Sequence, residues 1–77
     1  MQMWGSKVAT TVFFDKVIRD VEEPSTAIAI EFGRSSAYGQ NLMYFTLDDK
    51  MVIVDEKTGR EIYDAMQRLA AYLSYDM

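Results

Sequence analysis

The feature that most constrains this chain is its last third, where an apolar run leads directly into a strongly amphipathic segment. Residues 51–54 are all apolar, residues 55–61 form a capped turn, and the chain up to Tyr75 then repeats apolar side chains at the spacing of an α-helix. Thr58 and Glu61 have the spacing of a capping box, which predicts that the helix begins there. A strand that feeds an amphipathic helix indicates an α+β domain whose helix lies on a sheet. We predict that the following helix residues are buried: Ile62, Ala65, Met66, Leu69, Ala70 and Leu73.

The middle of the chain predicts an antiparallel meander. Residues 25–32 alternate between two faces, as in a half-buried strand, and residues 33–40 are rich in turn formers. Two further strands are predicted at residues 41–47 and 50–54, with Asp48 and Asp49 forming a tight turn between them. Sequential strands joined by short connections favour antiparallel pairing.

Residues 8–23 fit two interpretations. From Phe13 onward the apolar side chains fall on one helical face, and Pro24 would end such a helix. Many of these residues are β-branched, however, and residues 8–14 alternate acceptably as a strand. We favour a helix over residues 12–23, preceded by a short strand at residues 7–11, and keep a strand as the alternative.

The sequence therefore predicts one α+β domain over residues 1–77: an antiparallel β-meander of three to four strands, packed by an amphipathic C-terminal helix. The favoured order is αβββα, and the alternative is ββββα. In element order the first resembles the double-stranded-RNA-binding domain, although residues 56–61 balance acids and bases where that family has a basic cluster. The second resembles the small domains of four strands and a helix that bind single-stranded DNA as dimers.

The composition favours a homo-oligomer. A chain of 77 residues buries only about 60–65% of the surface that it exposes when unfolded, so its stability margin is narrow. The chain has no Cys and no His, which removes disulfides, thiolate or imidazole metal ligands and imidazole bases. A partner subunit is the stabilising device that remains, and we expect a two-fold dimer without metal or cofactor.

Charge and targeting signals limit the expected partners and the expected cellular location of the protein. The net charge of −4 and the dispersed Lys and Arg residues argue against nucleic acid as a partner. The acidic balance suits binding to other proteins, including their basic surfaces. The N-terminus lacks the pattern of a secretory signal, and no stretch approaches the roughly 20 apolar residues that span a bilayer. A cytoplasmic location without membrane contact is the default expectation.

The turn-rich segment after residue 33 is the main candidate site. Arg34 could anchor an anion, Tyr38 could stack, and the amides of Gln40 and Asn41 could donate and accept hydrogen bonds. Solvated hairpin loops prefer the same residue types. With Trp4 as an apolar N-terminal anchor and Tyr44 on the open sheet face, the predicted partner- or ligand-binding residues are Arg34, Ser35, Ser36, Tyr38, Gln40, Asn41, Tyr44 and Trp4.

Catalysis has little support in the sequence. Residues 57–60 could hold a phosphate at a helix N-terminus, but Glu61 would repel it. The densest carboxylates lie in turns, without the spacing of a calcium loop, and no base accompanies a Ser or Thr nucleophile. We expect a small acidic non-enzymatic protein-binding module, an inhibitor or adaptor that docks on a larger protein, similar in size and charge to phage-type inhibitors; a nucleic-acid-handling protein is one candidate for that partner. The alternatives are a single-stranded nucleic-acid-binding dimer and a nucleotide-type ligand binder that uses residues 34–41.

Overall fold

The computed structural model describes residues 10–75 and contains one sheet and one helix. In chain order, the elements are β1 (Thr10–Arg19), β2 (Ala27–Ser35), β3 (Leu42–Leu47), β4 (Lys50–Val54) and α1 (Glu56–Tyr72). The strands pair in the order β1-β2-β3-β4, and each pair is antiparallel. The α+β class, the meander and the C-terminal helix are therefore confirmed, in the ββββα arrangement. The predicted strand at residues 7–11 begins outside the described residues.

The favoured helix at residues 12–23 is wrong, because this segment forms β1. Its β-branched residues favour the extended backbone, and it pairs with β2 along its whole length. The register shifts between Val12 and Phe14, which leaves Phe13 as the extra residue of a β-bulge. The turn that follows is held by Asp20, whose Oδ2 accepts hydrogen bonds from the backbone N–H groups of Glu22 and Glu23, each at 3.0 Å.

The second strand is longer than its apolar alternation indicates. β2 continues beyond Phe32 to Ser35, so the predicted loop loses its first three residues to the sheet. Gly33 lies opposite Val12 at the bulge and is buried. A Cβ atom at Gly33 would collide with the carbonyl oxygen of Thr11 and lie 3.1 Å from the backbone nitrogen of Phe13. Glycine is needed here because the bulged strand passes too close for any side chain.

The turn between β3 and β4 is confirmed at Asp48 and Asp49. Asp48 adopts a left-handed φ of 55°, which suits a tight hairpin turn and which Asp tolerates better than most residues. The Asp48 N–H donates to the carbonyl oxygen of Ala29 at 2.7 Å, and its Oδ1 accepts from the Ala29 N–H at 3.1 Å. The turn is thereby tied to β2 as well as to its own strands.

The helix begins earlier than the capping box predicts. Asp55 is the N-cap, and its Oδ1 accepts a hydrogen bond from the Thr58 N–H at 2.8 Å. That bond lowers the pKa of Asp55. Thr58 therefore lies inside the first turn and does not begin the helix. At the other end, Ser74 at a φ of 61° stops the helix, with its N–H donating to the Ala71 carbonyl at 3.2 Å.

The helix contacts its own sheet, but the predicted burial of its apolar residues is wrong. No residue of α1 is buried, and its main approach to the sheet is made by its first turns, at β3. Among residues 10–75 the buried positions are Gly33, Ser35, Tyr44 and Val54. The described chain is thus an open sheet with a projecting helix. No helix within residues 10–75 has both the length and the apolar character needed to cross a membrane.

Candidate binding surfaces

One sheet face carries a row of aromatic rings, and we call it the phenylalanine face. The strand register aligns Phe14, Phe32, Phe45 and Val52 across the four strands. The rings of Phe14 and Phe32 are stacked, with centroids 5.2 Å apart and planes 10° apart, while those of Phe32 and Phe45 are tilted at 5.5 Å. These rings are half-buried, so they cover one another and still present apolar area.

The bulge places a further ring beside this row. Phe13 borders the same hollow as Phe32, Arg34 and Met43, and 74% of its surface is exposed. Because Phe13 has no partner in the β2 register, its position depends on the bulge alone. A large aromatic side chain that protrudes from a sheet is a typical contact residue.

The charged side chains of the phenylalanine face are all cations. Side chains alternate between the two faces along a strand, and the register places Lys16 and Lys50 at the two ends of the row next to the aromatic one. Arg34 lies on the same face, two residues from Phe32. Its Nη1 donates to Asn41 Oδ1 at 3.0 Å and its Nη2 to Thr11 Oγ1 at 2.6 Å, which fixes the guanidinium plane.

The opposite face is acidic around a buried tyrosine. Tyr44 is only 1% exposed, and its hydroxyl donates to Glu31 Oε2 at 2.5 Å. Burial, then this hydrogen bond and the charges of Glu31 and Asp15, raise the pKa of Tyr44 to about 12. The sequence predicts Tyr44 as a partner-binding residue, but the structure places it inside the sheet as a packing residue.

We expect Tyr44→Phe to remove a pH dependence as well as some stability. The native state holds the Tyr44 proton more tightly than the unfolded chain, whose tyrosines ionise near pH 10. The stabilisation is therefore complete below pH 10 and is lost as the pH rises through about 12. Urea unfolding should show Tyr44→Phe less stable by about 1 kcal/mol at pH 8. At pH 11.5 the order should reverse, because ionisation of Tyr44 in the unfolded wild type then lowers its stability by about 2 kcal/mol relative to the variant.

Tyr38→Phe is the matched control for that measurement. It removes a hydroxyl from an exposed turn residue, so it should follow the wild type at every pH. A stability difference between Tyr44→Phe and wild type that stays constant from pH 8 to pH 11.5 would show that the Tyr44 proton is not linked to folding.

The helix presents an uncovered apolar stripe, which we define as Ile62, Met66, Leu69 and Leu73. Met66 is 55% exposed and Leu69 52% exposed. Ion pairs lie on the polar side, with Arg60 Nη2 2.8 Å from Glu56 Oε2 and Arg68 Nε 3.1 Å from Asp64 Oδ2. The polar side is thus internally paired, while the apolar stripe has no counterpart within residues 10–75.

The structure brings together only some of the residues in the predicted binding loop. Arg34 and Asn41 are brought together by their hydrogen bond, whereas Ser35 is buried and its Oγ accepts from the Ala37 N–H at 3.2 Å. Ser36 and Gly39 close a turn through a backbone hydrogen bond of 3.0 Å. Tyr38, 71% exposed, and the exposed Gln40 do not line the hollows that Arg34 and Asn41 border. Trp4 lies outside the described residues.

Sequence reasoning missed the residues that define the phenylalanine face. The position of Phe13, Phe14 and Lys16 beside Phe32 depends on treating residues 10–19 as a strand paired with β2. The signal is present in the β-branched content of that segment, but the bulge interrupts its alternation.

Among residues 10–75, no cluster of three acidic side chains is arranged to hold a metal ion. Comparison of the chain with protein-family models, curated proteins and solved structures finds no match.

Proposed function

We propose that this protein is a small non-enzymatic protein-binding module that docks through the apolar stripe of α1, and that its first partner is a second copy of itself. The observation that carries this proposal is that a strongly amphipathic helix buries no residue against its own sheet. Amphipathic helices in folded proteins obtain most of their stability from packing of the apolar face. The stripe therefore needs a polypeptide to cover it.

The small hydrophobic core supports the idea that a second copy of the chain covers the apolar stripe. Among residues 10–75 the buried apolar side chains are Tyr44 and Val54. Hydrophobic burial is the dominant favourable term in folding, so a protomer with so little of it gains stability from any surface that it buries on association. A second copy is the one partner present whenever the chain itself is present, and a two-fold contact between stripes buries both at once.

Docking on a larger protein is the next step of the same proposal. The net charge of −4 favours a basic partner surface, and an inhibitor or adaptor role requires binding without chemistry. A small polar ligand held by residues 34–41 has less support, because Tyr38 and Gln40 do not line the hollows that Arg34 and Asn41 border. The phosphate site at residues 57–60 has less support too, since Asp55 accepts the Thr58 N–H and Glu56 pairs with Arg60.

Sedimentation velocity of the full chain from 1 to 100 µM tests the proposal. We expect a species of twice the 8.9 kDa chain mass at the higher concentrations, and a thermal midpoint that rises with protein concentration, because association is then linked to folding. A monomer throughout this range, with a cooperative unfolding transition that is independent of concentration, would contradict self-association through α1.

A further inference from the structure

The two faces of the sheet differ in the sign of their charges, which the net charge of the chain conceals. The charged strand residues of the phenylalanine face are Lys16, Arg34 and Lys50, whereas the opposite face carries Asp15 and Glu31 with one cation, Arg19. A chain of net charge −4 thus presents one surface whose strand residues include no acid. Polyanions respond mainly to the nearest charges, since charges beyond about 10 Å are largely screened at 0.1 M salt; the acids nearest this face are Asp48 and Asp49, in the turn before Lys50.

The aromatic residues of that face are spaced across neighbouring strands. Phe14, Phe32 and Phe45 form a continuous row with centroid separations of 5.2 and 5.5 Å, and Phe13 protrudes beside them. A cationic surface around exposed aromatic rings is how proteins hold single-stranded nucleic acids: the cations contact phosphates and the rings stack on bases. Folded duplexes hide the faces of their bases, so rings on an open sheet favour single strands.

From these observations we propose that the phenylalanine face binds single-stranded nucleic acid, with a base stacked on the exposed Phe13 ring, neighbouring bases packed against the apolar Phe14–Phe32–Phe45 row, and phosphates bound by Lys16, Lys50 and Arg34. Arg34 is suited to this role because two of its five N–H donors hold it to Thr11 and Asn41 and the others stay available. The site is independent of the proposed helix contact, which uses a different surface. A base-stacking surface of this kind is tolerant of sequence.

Fluorescence anisotropy with a 5′-labelled oligothymidylate of 20 nucleotides tests this site, using the full chain in 50 to 200 mM NaCl. We expect saturable binding that weakens with salt. If the three cations each neutralise one phosphate, the logarithm of the association constant should fall against the logarithm of salt concentration with a slope of about −2. The absence of saturable binding up to 100 µM protein at 50 mM NaCl would overturn the proposal.

Two matched pairs of variants locate the site. Lys50→Gln removes a cation from the phenylalanine face and should weaken binding about fivefold and make the salt slope shallower, whereas Lys57→Gln removes one from α1 and should change neither. Phe13→Ala should weaken binding by about fivefold or more, whereas Tyr38→Ala removes an equally exposed ring from the turn and should not. Equal effects within either pair would assign the binding to another surface and overturn the proposal.

Sedimentation of the same variants separates this site from the helix contact. Phe13→Ala and Lys50→Gln should keep the mass of the wild type, because neither residue lies on the stripe. If Phe13→Ala instead changes the assembly and the wild type binds no oligonucleotide, a second copy occupies the phenylalanine face and the proposal is wrong. A wild-type monomer that binds the oligonucleotide would leave this site supported and the helix contact refuted.

Discussion

Gly33→Ala is expected to remove most of the stability of the folded state. A Cβ atom there would overlap the Thr11 carbonyl oxygen and press on the backbone nitrogen of Phe13, 3.1 Å away. Both contacts are with backbone, so relief requires β1 to move and to break its pairing with β2 at the bulge. Overpacking against side chains typically costs 1–3 kcal/mol, and we expect about 3 kcal/mol or more here.

The expected loss is a large fraction of the total free energy of unfolding of this small domain. Folded domains are stable by roughly 5–15 kcal/mol, and a chain of this size with few buried side chains belongs near the lower end. Circular dichroism and urea titration of the purified variant at 25 °C should show either an unfolded chain or a much lower urea midpoint. The measurement is best made at a fixed protein concentration, because association would raise the apparent stability.

Gly59→Ala is the control for that result. Gly59 lies inside α1, and a Cβ atom there would meet only Met43 Cε at 4.0 Å, an ordinary van der Waals distance. Because alanine is the better helix former by about 1 kcal/mol, this variant should match or exceed the wild type in stability. If Gly33→Ala unfolds at the same urea concentration as Gly59→Ala, the close approach of β1 to β2 does not constrain position 33.

The parts of the fold that could be predicted are those in which local pattern and tertiary role agree. The alternation in β2, the two aspartates of the hairpin turn and the helical period of residues 56–72 each indicate their element correctly. The predicted start of the helix is too late, because two possible N-cap residues, Asp55 and Thr58, compete to begin it. Thr58 and Glu61 have the spacing of a capping box, yet Asp55 directly follows β4 and captures the Thr58 N–H first.

The error at β1 has a specific physical cause. A strand is recognised by a period of two, and the extra residue Phe13 reverses which face each later side chain occupies. Val12 and Phe14 therefore lie on opposite faces although they are two residues apart. Read without the bulge, the segment alternates poorly and its apolar residues resemble a helical face. The candidate site was missed with it, since Phe13 and Lys16 belong to β1.

The position of the helix could not be predicted from its own pattern. The period of apolar residues in α1 shows that one side must be covered, and the simplest assumption is that the chain's own sheet covers it. The structure instead leaves Met66 and Leu69 about half exposed. A stripe that is covered by another chain has the same sequence pattern as one that packs internally, so sequence alone does not distinguish the two.

Leu69→Lys is expected to dissociate the proposed dimer. Leu69 lies in the middle of the stripe with half of its surface exposed in the protomer, so the new ammonium group would be buried without a partner on association. In a two-fold contact the substitution occurs twice. At about 2 kcal/mol or more for each site, the dissociation constant should rise by about a thousandfold. Sedimentation velocity at 20 µM should then report a single chain, whether folded or unfolded.

Gln67→Lys makes that result interpretable, because it introduces the same side chain and the same charge two residues away. Gln67 is exposed on the side of α1 that carries the Asp64–Arg68 ion pair, opposite the stripe. This variant should keep the wild-type mass and thermal midpoint. Dissociation by both variants would indicate that charge rather than the stripe controls association. A Leu69→Lys protein that remains dimeric would place the contact elsewhere, with the open sheet as the remaining apolar surface within residues 10–75.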